Sequence, residues 1–504
     1  MTLAVPTRLP AVGALRARWF GFAGAVLCLI GSYGAGALSV HDPTKDWPVL
    51  GALRHGAGPQ VALTFVYAGV AILLISWLFL GRVLRTDDAP SARELLITGA
   101  WWAAPLLISI PLFSRDLWSY AAQAHLTAQG LNPYHAGPDQ MPGPYLDEVQ
   151  RAWVDSPAPY GPLWLTAGRL IGLATGDHVY VTVFCMRLLS CLGVVLIAVF
   201  MPRLARAFGA DPRVATWLVV ANPLLLMHFI SGGHNDSVML GLGVAGLALV
   251  AEGRRWALGV VLVTLGVAVK APAILVLAFC VPVYAAQLGG QRVWLRAIGR
   301  MAAVSIAAFG AVTLVSGLGL GWVGHLNTAG GLVSWVSIPT GLALFSGRIA
   351  WELGFGDVHR ILIPNMRLTG EAIAGLITLL LWLSVCRRQP ISRTGVARGL
   401  GLALAALVLL GPIVQPWYLL WPLAFLAIVP PTPRWQTVIA GITVWAALLV
   451  TPQGATLFDR LIAVFAAAVA AVVGAVVVLG QHDSEPAGTR PGPRGTPVAT
   501  TTKL

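Results

Sequence analysis

FSRDLWSYAAQAHLTAQGLNPYHAG (113–137), carried on to WVDSPAPYGPLW (153–164), is the stretch whose reading decides the fold. Apolar runs of membrane-spanning length flank it at 93–113 and 178–201, so it is a long polar connection between two hydrophobic spans. Asp116 stands a few residues beyond the end of the first run. A carboxylate at the mouth of a membrane helix is costly to desolvate, so it must be solvated, paired or functional.

Composition points the same way. The 504 residues are 57% hydrophobic and 11% charged, whereas a soluble domain carries about a quarter charged residues. The chain is read as an all-α polytopic membrane protein. Cys28, Cys185, Cys191, Cys280 and Cys386 are scattered through apolar segments without CxxC or metal-ligand spacing, and read as small packing residues. The net charge of +13 does not imply nucleic acid. Most of the Lys and Arg fall in short loops and tails on one side (Arg82, Arg85, Arg93; Arg203, Arg206, Arg213; Arg387, Arg388, Arg393), the pattern of loops retained in the cytoplasm.

Further spans are expected near 19–40, 61–82, 213–230, 237–252, 300–320, 362–386, 396–414, 417–430, 435–451 and 458–480. Segment 256–287 divides into two halves, each shorter than the ~20 residues a bilayer crossing needs. A hairpin turning at Lys270-Ala271-Pro272 keeps Arg254, Arg255, Arg292, Arg296 and Arg300 on one side and leaves a recess floored by Lys270. The expected total is about fourteen helices with both termini cytoplasmic. Two external connections result, 114–177 and 321–361, the second with an interfacial helix over Thr340–Leu353. Residues 1–480 form one transmembrane domain, and the Pro-, Gly- and Thr-rich tail 481–504 reads as disordered and cytoplasmic.

On this topology the polar groups converge on the external side: Asp116; the turn His234-Asn235-Asp236; Lys270 on its hairpin; and Gln415-Pro416-Trp417-Tyr418. Loops meeting over a helical scaffold are the usual setting of a binding or catalytic site. Each group also has a plain structural reading. Asp116 and the 234–236 turn would cap the helices they precede. Lys270 would snorkel to the surface, and Trp421 would join an aromatic belt. Trp417 and Tyr418 would join the same belt, or else stack on a sugar or pack a prenyl chain. Arg187, inside a span, needs a partner or water. His125, His135 and His325 show no ligand spacing. There is no phosphate-binding loop ending in Lys-Ser/Thr, no HExxH and no GxSxG elbow.

The ordered set SRDLWSYAAQ, GLNPY, SPAPYGPLW, SGGHNDSVMLGL, VKAPAILVL and QPWYLLWPL, spread over about 60–480, resembles the polyprenol-phosphomannose-dependent α-1,6-mannosyltransferases of the MptA/MptB family, most nearly the MptB type. These belong to the GT-C glycosyltransferases. The resemblance implies an enzyme of the plasma membrane that works on its external side. It takes mannose from polyprenyl-phosphate-mannose and delivers it, with inversion, to the 6-hydroxyl of an α-1,6-mannan on a lipomannan- or lipoarabinomannan-type glycolipid.

The family's first-loop acid falls on Asp116 as the base. Its neighbours Arg115 and Leu117 supply no second acid, which implies a reaction independent of metal and of any cofactor. The donor phosphate is expected near Lys270 and Arg115 or Arg187. Tyr160, His234, Asn235 and Gln415 are expected to bond sugar hydroxyls, with Asp236, Trp417 and Tyr418 completing the substrate site. No nucleic acid is implied. The rival readings are a lipid-linked glycan transporter or flippase, and a polyprenol-phosphate arabinosyltransferase of the same fold.

Overall fold

The computed structural model describes residues 12–289, 291–326, 332–430, 432–455, 457 and 461–479; the tail expected to be disordered lies outside them. All regular elements among these residues are helical. In chain order the principal ones are α1 (Val12–Ala35), α2 (Gly58–Val83), α3 (Ala92–Leu107), α4 (Asp116–Ala128), α5 (Pro162–Thr175) and α6 (Val179–Ala207). They continue as α7 (Asp236–Glu252), α8 (Trp256–Val267), α9 (Ala273–Ala285), α10 (Val293–Ser316), α11 (Ile338–Glu352) and α12 (His359–Arg387). The last four are α13 (Arg393–Leu410), α14 (Leu420–Leu426), α15 (Pro433–Leu448) and α16 (Leu461–Leu479).

Local sequence explains the boundaries. Ser91 and Glu94 form a reciprocal capping box at the start of α3. Ser337, Ser392 and Thr432 cap α11, α13 and α15 with their hydroxyls. Pro162 opens α5 at the first turn, where its missing N–H costs nothing. The expected interfacial run near 340–353 is helical as α11, and the chain turns at Lys270-Ala271-Pro272 between α8 and α9 as its sequence anticipates.

The all-helical expectation holds, with part of the expected set of about fourteen spans met by length and composition. Six described helices are long and apolar enough to cross a membrane, or seven if one bent pair counts as a span. The remainder of the expected set includes shorter apolar helices, such as α8 and α9. The bent pair is the expected span 213–230. It breaks at Asn222-Pro223 with a bend of 40°, and both halves finish in π-helical turns. Asn222 holds the break, accepting from Leu224 N–H at 2.8 Å and donating to Leu218 O at 2.8 Å.

Shortened and broken helices leave carbonyls without partners, and inside a membrane these must be satisfied by protein. Arg187 does this. Its guanidinium donates to Leu107 O (2.9 Å), Ser109 O (2.6 Å) and Ser231 O (3.1 Å), tying the end of α3 to the end of the bent pair. Its partners are therefore main-chain carbonyls, and it is not among the residues lining the cavity described below, where the donor phosphate was expected.

Helices α6, α7 and α8 form the packed centre. Backbones approach so closely that a Cβ on Gly241 would lie 2.4 Å from Gly193 O, and one on Gly246 2.5 Å from Gly259 O. Small residues make such contact possible where no hydrophobic drive separates helix from lipid. Of the 17 residues of α7, only Val238 and Glu252 escape burial. This packing fixes the start of α7, and with it the turn that supports the site.

Candidate active site

The chain leaves α3 through Phe113, whose φ of 66° is left-handed although it is not glycine. Phe113 N–H donates to Pro452 O at 2.9 Å, and Gly454 packs so tightly that a Cβ there would lie 2.7 Å from Ser114 Cα. A strained residue pinned in this way fixes the direction of the chain beyond it. That chain enters α4, which opens on Asp116, so its carboxylate lies at the positive end of the helix dipole.

Asp116 lies on the wall of a cavity of about 710 Å³. Arg115, Ser119, Gln123, Tyr160, Lys270, Gln415, Trp417 and Tyr418 share that wall. Seven of the ten sequence-derived site residues are thus brought together: Asp116, Arg115, Tyr160, Lys270, Gln415, Trp417 and Tyr418. The other three, His234, Asn235 and Asp236, are fully buried and stand one layer behind the cavity wall. Their expected contact with substrate is corrected on this point: the tight turn that carries them is covered by the α4 and 415–421 side chains.

Each nevertheless reaches a group at the site. His234 Nδ1 is 3.1 Å from Asp116 Oδ2, close but off the line of a well-formed N–H hydrogen bond. The Tyr120 hydroxyl is shared between Asp116 Oδ2 (3.4 Å) and Asn235 Oδ1 (3.3 Å). Lys270 Nζ donates to both oxygens of Asp236 at 2.9 Å, and Trp421 Nε1 donates to Oδ1 at 2.9 Å. Capping does not explain these side chains, because neither α4 nor α7 receives a side-chain cap hydrogen bond.

Trp421 is a correction of a different kind. Only 4% exposed and bonded to a carboxylate, it belongs to the site and not to an interfacial belt. Tyr418 stacks on it at 4.3 Å, and Lys270 Nζ lies 4.7 Å from the Tyr418 ring centre. Arg115, also on the cavity wall, is paired as Lys270 is. Its guanidinium donates to Leu38 O and Glu148 O at 3.2 Å and pairs with Glu148 at 3.7 Å, so its charge is already matched within the protein.

Electrostatically, burial pushes the Asp116 carboxyl up. The His234 contact and the Lys270 charge outweigh this and hold it below the usual carboxylate range. The 22% of its side chain left accessible faces the cavity. An ionised acceptor at a cavity wall, with a cation nearby, is equipped to take a proton from a hydroxyl. The wall also carries buried polar atoms that no protein group satisfies: Ser119 Oγ, Gln123 Oε1, Gln415 Oε1 and Trp417 Nε1. Such atoms are rare in folded proteins and suit a ligand rich in hydroxyls. Among the described residues, no group of three or more His, Cys, Asp or Glu could hold a metal ion.

Sequence reasoning missed Ser119, Tyr120 and Gln123. Their signal was present, because 116, 119, 120 and 123 fall on one face of a helix at the i, i+3, i+4, i+7 spacing. Beyond the polar end, the cavity continues as a mainly apolar crevice lined by Ile274 and Leu275 of α9, Ala374 and Gly375 of α12, and Leu407 and Val408 of α13, with Glu371 and Thr378 of α12 as its polar members.

Comparison with known proteins finds sequence relatives over most of the chain. The family model described as "Alpha-(1->6)-mannopyranosyltransferase, N-terminal domain" of the MptA/MptB family matches residues 18–286, and that described as "MptB C-terminal domain" matches 339–480. The chain is 36% identical to alpha-(1->6)-mannopyranosyltransferase A of Mycobacterium tuberculosis over 86% of its own length and 84% of that protein. It is 35% identical to a probable alpha-(1->6)-mannopyranosyltransferase of Mycolicibacterium smegmatis (92% and 87%), and 32% identical to alpha-(1->6)-mannopyranosyltransferase B of Corynebacterium glutamicum (81% and 72%). Among solved structures, the oligosaccharyltransferase of Archaeoglobus fulgidus is similar at 14% identity and a TM-score of 0.32, over 77% of this chain and 53% of that one, a likeness too distant to carry an argument. With family models covering both halves of the chain and curated relatives along nearly all of it, the protein is a mannosyltransferase and belongs to the MptA/MptB family of alpha-(1->6)-mannopyranosyltransferases.

Proposed function

We propose that the protein transfers mannose from polyprenyl-phosphate-mannose to the 6-hydroxyl of an α-1,6-mannan on a membrane glycolipid, with inversion, on the external side of the plasma membrane. One observation carries this reading: a single cavity joins the Asp116 carboxylate to a mainly apolar crevice between α9, α12 and α13. A donor with a sugar head and a prenyl tail has both ends accommodated there.

In this reading the acceptor oxygen attacks the anomeric carbon while Asp116 takes its proton. The bond from that carbon to the phosphate oxygen breaks, its electron pair leaves with polyprenyl phosphate, and the configuration changes from β to α. Phosphate is a good leaving group, so stabilising the departing charge is enough and no general acid is required. Of the two cavity-wall cations, Arg115 and Lys270, the second is the one for that task. It is held by Asp236 yet 17% accessible, and two of its three N–H donors are engaged by that carboxylate. The polar atoms of Ser119, Gln123 and Gln415 left without protein partners, together with Tyr160, are the groups for sugar hydroxyls.

The test is transfer by purified protein in detergent, from radiolabelled polyprenyl-phosphate-mannose to a synthetic α-1,6-mannooligosaccharide. Asp116→Asn is expected to lower kcat by about 10²–10⁴-fold, the usual contribution of a general base. A folded Asp116→Asn variant working at the wild-type rate would remove Asp116 from the reaction. Turnover in detergent, where no two sides exist, also separates an enzyme from a transporter, and replacing the mannosyl donor with an arabinosyl one tests the other rival.

A further inference from the structure

The reaction proposed above employs Asp116 and Lys270 but leaves unused the two imidazoles behind them. His228 and His234 are both fully buried, and none of their four ring nitrogens has a well-formed hydrogen bond. Burying polar atoms in this way is costly unless their placement serves something. His234 lies 3.7 Å, ring centre to ring centre, from the cavity-wall Trp417 and is stacked on it, while its Nδ1 is 3.1 Å from Asp116 Oδ2. A carboxylate can only accept, so the proton between them belongs to Nδ1.

The turn that presents this ring is constrained by the same helix it serves. Gly233 has φ +61°, and a Cβ there would lie 2.6 Å from the side chain of Leu117, the residue after Asp116. The next three side chains each engage a group at the site: His234 meets Asp116, Asn235 meets Tyr120, and Asp236 meets Lys270.

Resting on the proposed reaction, we infer that His234 is a positioning residue for the base. With Nδ1–H set 3.1 Å from Asp116 Oδ2, a contact that straightens into a hydrogen bond when substrate binds, it steadies the carboxylate, keeps it ionised and leaves Oδ1 to face the acceptor hydroxyl. The imidazole proton stays on the ring throughout; the proton lost by the acceptor goes to Asp116. The other groups around the carboxylate are Lys270 from the α8–α9 hairpin, Tyr120 on α4 itself, Tyr160 from the connection before α5, and Asp236 and Tyr418 beside Lys270. Of these, Lys270 is a cation but has its own carboxylate partner.

Three substitutions test this. His234→Phe keeps a ring on Trp417 and removes the donor. His234→Asn keeps an N–H attached at Cγ, near Nδ1, whereas His234→Gln carries it one carbon further away. The Phe and Gln variants are expected to lose kcat roughly a hundredfold through misplacement of the base, with donor KM unchanged. A carboxylate held down in pKa works above that value and fails as pH falls through it. Removing the partner therefore moves the acid limb of the kcat–pH profile upward. The His234→Asn variant is expected to recover most of kcat and return the limb towards wild type.

Wild-type kcat and limb in folded His234→Phe would overturn the inference, as would equal impairment of all three variants with the limb unmoved. If the Phe variant fails to fold, the contrast of His234→Gln with His234→Asn decides: different limbs support positioning and identical limbs refute it. Asp116→Asn in the same assay keeps the two ideas apart. Activity there sinks the base itself, whereas an inactive Asp116→Asn protein beside an unaffected His234→Phe sinks only the role of His234.

Discussion

Helices α7 and α10 are both apolar, yet α7 is enclosed along nearly its whole length, whereas α10 buries only Ala297, Met301 and Ser316 of its 24 residues. Lipid-facing residues such as Ile306, Leu314 and Val315 are more than 70% exposed on α10. In water such exposure would mark an unstable surface; in a bilayer it is ordinary, because lipid tails are as apolar as a protein core. The lesson is that in this molecule hydrophobicity does not distinguish centre from periphery. What distinguishes them is close backbone approach at glycines and a fully buried charge that needs a partner. Helix α7 has both, in Gly241, Gly246 and Asp236. Nothing approaches Gly299 and Gly310 of α10, and its Arg300 and Ser305 bond neighbours while remaining outside the core.

Substitutions can break or sharpen that contrast. The largest effect on stability is expected from Lys270→Ala, which leaves Asp236 at the head of α7 fully buried and without its cation. Removing one member of such a pair costs about 3–5 kcal/mol, read as a lower unfolding temperature in detergent together with weaker use of donor. Adding Asp236→Asn should restore most of the stability and none of the donor use. Recovery of both would show that the pair acts only in folding.

Next comes Gly241→Val. Its side chain would enter the backbone of α6, and overpacking of that kind costs up to about 3 kcal/mol; a loss of folded protein after purification is the readout. A smaller and selective effect is expected at Gly375 on α12. A Cβ there meets nothing within 4 Å although the residue lines the cavity, so a side chain can leave the backbone without a clash, and Gly375→Trp is expected to obstruct the crevice. Long-chain donor KM should rise roughly tenfold, equivalent to ~1.4 kcal/mol of lost tail contact, and a short-chain analogue should be used as before. Equal effects on both donors would place the tail elsewhere. The smallest effect belongs to Gly310→Val on α10, where a Cβ also meets nothing within 4 Å. Thermal stability should stay within about 0.5 kcal/mol; a large loss would mean that α10 packs against something other than lipid.

The same contrast separates what could be read from the chain alone. Apolar runs, basic loops and the Lys270-Ala271-Pro272 turn follow from transfer free energies and helix length, which are properties of consecutive residues. Asp116 was also legible, because a carboxylate beside an apolar run needs an explanation wherever it goes. The number of spans was not. Hydropathy assigns the same score to a helix destined for lipid and to one, such as α7, destined for protein, and short helices become tolerable once neighbours satisfy their ends.

Tertiary structure alone decided which charges would cancel. Lys270 and Asp236 are separated by the whole of α7 and α8 in sequence, yet lie 2.9 Å apart, and Trp421 turns from a belt residue into a donor to that carboxylate. Arg187 and Arg115 likewise found partners among carbonyls and Glu148 that no spacing rule connects to them. Each pairing depends on where distant helices cross, and in a membrane those crossings are set by small-residue packing, such as Gly193 against Gly241. The sequence thus determined the chemistry on offer and its membrane setting. Only the packing determined that Asp116 and Lys270 face a shared cavity while His234 and Asp236 stand behind them.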